Sequence, residues 1–239
     1  MVTTATPTAG EWPPALDVDG PGPQSRVTVL LRLILMIPQI VVVWLLSIAA
    51  YVVAFIGWFA ALALGRLPAW AAEYLSGYLA WSTRVSAYGY LLSDAYPPFR
   101  WTPSGHPVRV DVRPGRLNRL AVLFRIVLMI PAAIVSNLLT TGWRVAAIVI
   151  WLVVLVRGGM PQPLFEATAA VQRYSMRFQA YVLMLTPVYP KHLFGDQGTE
   201  VRLSPTRPLV LGGTARNLVG LFILLGVVGF LLQAMARMQ

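Results

Sequence analysis

The chain has 239 residues, of which 57% are hydrophobic and only 12% charged, and it carries a formal net charge of +10 with no cysteine and two histidines. A soluble domain needs about a quarter of its residues charged to cover its surface, so much of this chain must meet lipid. The lack of cysteine excludes disulfides, iron–sulfur clusters and thiol chemistry, and two histidines leave little from which to build a zinc or haem site.

Residues 1–25 hold three acidic residues and neither Lys nor Arg, so no secretory signal is expected and the first apolar run reads as a retained span. Residues 1–14 are expected to be a disordered tail. Ala15-Leu16-Asp17-Val18-Asp19 then alternates as an edge strand does, and Val108–Arg113 and Val201–Ser204 repeat the alternation. A three-strand cytoplasmic sheet at the membrane surface is one reading, and three unrelated extended linkers are the other.

The run 33–64 has only Gln39 and Ser47 as clearly polar side chains. As a single helix it would be about 48 Å long, against a hydrocarbon core of roughly 30 Å. A second run, 120–157, arbitrates. Arg32-Leu33-Ile34-Leu35-Met36-Ile37-Pro38 aligns with Arg125-Ile126-Val127-Leu128-Met129-Ile130-Pro131 at an offset of 93. The same offset carries Trp58 onto Trp151, Pro68 onto Pro161, Glu73 onto Glu166, Arg84 onto Arg177, Tyr88 onto Tyr181 and Tyr96-Pro97 onto Tyr189-Pro190. One register held this far marks a tandem duplication.

Opposite residues 44–51 the second copy reads Asn137-Leu138-Leu139-Thr140-Thr141-Gly142-Trp143-Arg144, which resembles an interfacial turn. Each run is therefore expected to be a transmembrane hairpin, with spans near 27–46, 50–65, 120–138 and 143–158. One long tilted helix is the alternative for the first run. Pro38 and Pro131 predict kinks.

After each run comes a semi-polar segment, 69–93 or 162–185, with apolar residues at three- and four-residue spacing beside Arg, Trp and Tyr. An amphipathic helix in the interface plane is expected, with a protein-buried or re-entrant helix as the alternative. Glu73/Arg84 and Glu166/Arg177 are each eleven residues apart, too far for a bond within one helix. Crossed contacts between copies, Glu73 with Arg177 and Glu166 with Arg84, follow if a pseudo-twofold relates them. Arg32 and Arg125 either send their heads to the interface or turn inward to hold a carboxylate or lipid phosphate. With Tyr88 and Tyr181, these residues are the candidate inter-repeat or lipid-phosphate contacts. The last run, 209–232, is a single span whose Gly220, Gly226 and Gly229 are candidates for close helix packing.

The expected division is thus a tail to residue 25, repeats at 26–99 and 119–191, linkers at 100–118 and 192–208, and a final helix from 209 to 239. The fold class is an all-α polytopic membrane protein with a small sheet. Basic residues gather in the tail-proximal and inter-repeat segments, which places those segments in the cytoplasm and favours anionic lipid over nucleic acid as partner.

Trp58 through Gly65-Arg66-Leu67-Pro68, then Trp81, Arg84-Val85-Ser86-Ala87-Tyr88, Leu91-Leu92-Ser93-Asp94 and Tyr96-Pro97-Pro98-Phe99, resembles the DUF4389 family of bacterial membrane proteins. The second copy keeps Trp151, Gly158, Pro161, Arg177-Phe178-Gln179-Ala180-Tyr181 and Tyr189-Pro190, but has Pro187 at the place of Asp94 and Lys191 at that of Pro98. The resemblance implies a bacterial membrane architecture and, being to a family of unknown function, supplies neither substrate nor cofactor. The expected function is a non-enzymatic scaffold or accessory subunit. Its partners would be lipid, another membrane protein or a second copy, with no cofactor. A transporter or channel for an anion or anionic lipid is the alternative.

Overall fold

The computed structural model describes residues 12–196 and 203–236. Its elements are β1 (Ala15–Val18), α1 (Arg26–Leu64), α2 (Ala69–Gly89), β2 (Val108–Asp111), α3 (Arg119–Leu123), α4 (Arg125–Arg157), α5 (Gln162–Val182) and α6 (Gly213–Ala236). Three of them, α1, α4 and α6, are long and apolar enough to cross a membrane. Most of the expected tail lies outside the described residues, as do Val201, Arg202 and the C-terminal Arg237.

The hairpins are not there: each hydrophobic run is one continuous helix, of 39 residues in α1 and 33 in α4. The polar segment that looked like a turn keeps its side chains bonded inside the helix. Thr140 Oγ1 donates to Ser136 O at 2.9 Å, Thr141 Oγ1 to Asn137 Oδ1 at 3.1 Å and Arg144 Nε to Thr140 O at 3.2 Å. Ser47 likewise donates to Trp44 O at 2.6 Å. A polar stretch whose groups are satisfied locally has no need to leave the helix. What ends the helices is glycine at φ +68° in Gly65 and +71° in Gly158, the left-handed cap that a side chain resists.

From each cap the chain folds back. Tyr74 reaches Leu46 O, Trp81 reaches Gln39 and Arg32 reaches Tyr88 O, so α2 runs antiparallel to α1. Trp143–Thr168, Ser136–Ser175 and Arg125–Tyr181 set the same register for α4 and α5. The interfacial reading fails for α5, which buries Phe165, residues 167–174, Met176, Arg177, Ala180 and Tyr181 around most of its circumference. It can do so because its arginines find oxygen acceptors inside the protein.

Among the described residues the sheet has two strands, antiparallel, with Ala15 opposite Asp111 and Val18 opposite Val108. The expected third strand is replaced, in its described part, by a turn bridging Ser204 and Arg207. Thr206 Oγ1 accepts from Val18 N at 2.8 Å and donates to Leu16 O at 2.9 Å, so one hydroxyl serves the edge of β1 in place of a ladder. Arg207 pins the assembly by pairing with Asp17 and Asp111.

The copies are related by a twofold, and its signature is reciprocity under the 93-residue offset. Trp58 Nε1 donates to Val122 O at 3.0 Å, and Trp151 Nε1 donates to Val29 O at 2.8 Å. Leu117 N donates to Gly65 O, and Gln24 N to Gly158 O, each at 2.8 Å. Ala15 and Val18 match Val108 and Asp111 under that offset, so the sheet sits astride the axis. Replacing either Trp58 or Trp151 by Phe should cost about 1 kcal/mol, the usual value of one hydrogen bond. The two sites are about 44 Å apart along α1, so the double variant should lose the sum, read as thermal unfolding in detergent.

The last helix, α6, has no counterpart in the first repeat. α6 crosses α4 so closely that a Cβ on Gly142 would lie 1.6 Å from Phe222 O, and one on Gly226 would lie 2.1 Å from Leu138 O. Gly229 also faces α4, at Thr141 and Val145, whereas Gly220 faces open space. Of the three glycines expected to pack, two do.

Candidate functional site

The most developed polar features are two buried arginines, one per repeat, each serving the end of a neighbouring helix. α2 and α5 finish with a residue in the left-handed region, Leu91 at φ +61° and Met184 at φ +59°. In both, the backbone closes back with the same bonds, Leu92 N to Ala87 O and Leu185 N to Ala180 O, each at 3.0 Å. Such an end still presents carbonyls and the negative pole of the helix dipole, and a cation is the natural complement.

Arg32 supplies it in the first repeat. The guanidinium lies 4.3 Å from the Tyr88 ring centroid and donates to Tyr88 O at 2.9 Å, Ser93 O at 3.2 Å and Asp94 Oδ1 at 2.8 Å. Asp94 also accepts from Ser25 N at 3.1 Å and from the Thr28 hydroxyl at 2.5 Å, tying the start of α1 to the end of α2. Arg125 does the same in the second repeat, 4.0 Å from the Tyr181 ring, donating to Tyr181 O at 2.7 Å and Thr186 O at 2.6 Å. Pro187 stands where a carboxylate would be, so ring face and carbonyls hold this charge. Both heads turn inward, but only Arg32 meets a carboxylate there, and Arg125 meets carbonyls and a ring face.

The crossed contacts expected between repeats are not among the ion pairs of the described residues. Arg84 donates to Arg100 O at 3.0 Å and Trp101 O at 3.1 Å, and burial lowers its pKa from the ordinary guanidinium value. Glu73 is exposed at the rim of a cavity of about 420 Å³ that Ser76, Arg84, Trp101 and Arg109 also line. Glu166 accepts from Gln162 Nε2 at 2.9 Å and from Gly212 N at 3.1 Å, placing its carboxylate at the positive end of α6. Arg177 donates to Pro14 O at 2.9 Å and to Asp196 Oδ1 at 3.4 Å. Eleven-residue spacing thus reflects the duplication: Arg84, Glu166 and Arg177 meet partners in loops or neighbouring segments, and Glu73 stays exposed.

Asp196 is the residue that sequence reasoning missed. It pairs with Arg173 and Arg177 and accepts from Leu209 N at 3.1 Å, while its own N–H donates to Leu209 O at 2.7 Å. Burial and the neighbouring Arg177 push the Arg173 guanidinium down to about 10, with Asp196 opposing them. The 93-residue offset gives Pro103 at this place and Ala80 at that of Arg173, so of this cluster only Arg177 has a charged counterpart, Arg84.

A second cavity, of about 520 Å³, lies where α1, α2 and α5 meet, lined by Trp44, Ser47, Tyr78, Ser82, Gln172 and Gln179 among others. Its polar groups are hydroxyls and amides. Among the described residues no group of three or more His, Cys, Asp or Glu is placed to hold a metal ion.

A family model described as domain of unknown function (DUF4389) matches residues 26–100 and again 119–193, ranges related by the same offset as the two arginine caps. No curated protein and no solved structure matches the chain.

Proposed function

Because the chain belongs to the DUF4389 family and carries its domain twice, we propose that it is a non-enzymatic membrane scaffold or accessory subunit of a larger membrane complex, one that gathers anionic lipid around its basic helix ends. The observation that carries this reading is the commitment of the buried cations. Arg32, Arg84, Arg125, Arg173 and Arg177 are all bonded to carbonyls or carboxylates of the chain itself, so their charge serves the fold. The outward offering is apolar helix faces, with Arg26, Arg66, Arg119 and Arg157 at or beside their ends. Such a surface suits lipid and other membrane segments. In this reading the chain resides in the bacterial plasma membrane with its N-terminal and inter-repeat segments on the cytoplasmic side.

Purification in mild detergent or in native lipid particles tests this. A second protein, a second copy, or an enrichment of anionic headgroups over the surrounding membrane is the expected result. A monomeric particle with neither would overturn it.

The cavity between α1, α2 and α5 favours a second reading, a route for an anion or anionic lipid between the repeats. Reconstituted vesicles that passed phosphate-bearing solutes or moved labelled phospholipid between leaflets would select it over the scaffold.

A further inference from the structure

A continuous helix as long as α1 invites the conclusion that its two ends lie on opposite sides of the bilayer. The reciprocal contacts allow that in one orientation only. Rotation about a twofold leaves the level of a residue along the axis unchanged. Trp151 is the rotated image of Trp58, and Trp151 is bonded to Val29. Val29 and Trp58 therefore lie at one level along the axis, although about 44 Å of helix separates them. Gln24 and Gly65, at the two ends of α1, are levelled in the same way through Gly158 and Leu117. Thus α1 runs across the axis, and so does its image, α3 with α4.

That leaves two ways to meet a bilayer. If α1 and α4 crossed it, the axis would lie in the membrane plane, and everything on the axis would sit at the depth of the bilayer centre. The sheet is on the axis. It carries Asp17, Arg109 and Asp111, with Asp19 and Arg113 beside it, and Arg109, Asp19 and Arg113 are more than half exposed. Exposed charges are not held at that depth. If the axis instead stands along the membrane normal, the sheet lies in the aqueous layer. Both ends of both long helices, with Arg26, Arg66, Arg116, Arg119 and Arg157, then come to one surface.

The faces of the helices agree. At 100° per residue, the exposed large hydrophobic side chains of α1 from Leu33 to Phe59 fall within an arc of roughly 160°. Buried Arg32, Gln39, Ala50, Gly57 and Ala61 lie opposite. One face to hydrocarbon and one to protein, held over these turns, is what a helix laid across a leaflet requires.

We infer that α1 and α3–α4 do not cross the bilayer. They lie across the hydrocarbon of a single leaflet, with all four helix ends among anionic headgroups on the same face. This rests on the membrane character of the chain and is independent of whether the protein serves as scaffold or route.

The chain has no cysteine, so single-cysteine labelling needs no background removed. Ser25→Cys and Arg66→Cys flank α1, Arg116→Cys and Arg157→Cys flank α3–α4, and all four positions are exposed. In sealed right-side-out and inverted vesicles, a membrane-impermeant maleimide should modify all four from one and the same side. Labelling of positions 25 and 66 from opposite sides would overturn the inference while leaving the scaffold reading to its own test. The second pair, 116 and 157, asks the same question of the other repeat should one variant misfold, and full modification in detergent confirms that each thiol is present.

Discussion

Leucine in place of Gly142 should detach α6 from the second repeat, with a loss of about 3 kcal/mol or more and a particle that unfolds well below the parent in a detergent melt. The estimate follows from what the glycine meets. A side chain there confronts the main-chain oxygen of Phe222 at 1.6 Å from its first carbon, and backbone within a helix cannot rotate aside as a side chain can. The two helices must separate, and Gly226 then loses its own fit against Leu138. Over-packing of ordinary cores costs about 1–3 kcal/mol where neighbours can shift, and this contact belongs at or beyond the upper end. Even alanine should be poorly tolerated. Gly220→Ala is the internal comparison, since nothing lies within 4 Å of the added carbon, and it should leave the melt unchanged within a few tenths of a kcal/mol. Equal sensitivity at positions 142 and 220 would contradict this account of the α4–α6 contact.

Arg125→Met should cost about 3 kcal/mol, with the loss centred on the end of α5. Two bonds from a charged donor disappear, each worth about 1.5–3 kcal/mol. Removal of a buried charge returns part of this, because the fold no longer bears its desolvation. The carbonyls of Tyr181 and Thr186 are left without this donor, and the Tyr181 ring without its cation. Lysine should not restore the parent stability, since a single ammonium cannot present the planar fork that reaches both carbonyls while stacking on the ring. Hydrogen exchange of the Tyr181–Thr186 amides should accelerate in both variants. Arg32→Met offers a contrast: Asp94 keeps the Ser25 amide and the Thr28 hydroxyl, so the first repeat retains the link between α1 and the end of α2. If Arg125→Met melted like the parent, the cap would be ornamental.

The duplication was legible in the sequence because Trp, Pro and Arg recur at one offset, and the structure turns that offset into a twofold. Residues 137–144 misled because composition alone cannot separate a polar turn from a polar helix segment. The difference lies in Thr140 and Thr141 bonding within the helix and in Gly142 meeting α6, a contact with a segment more than seventy residues away. The arginines were legible as a matched pair, and so were their tyrosines. That each guanidinium would rest on the tyrosine 56 residues later follows from α2 and α5 folding back in a register that the hydrophobic pattern does not encode. Asp196 was out of reach for another reason: it belongs to a linker where the copies have diverged, so it had no counterpart to draw attention to it.

The register of the small sheet has one more implication. Each strand belongs to a different copy, and each pairs with the image of itself. A single copy supplies only one strand, so this sheet forms only where both copies meet. One chain thus closes a twofold interface upon itself, while the last helix packs against the second half alone.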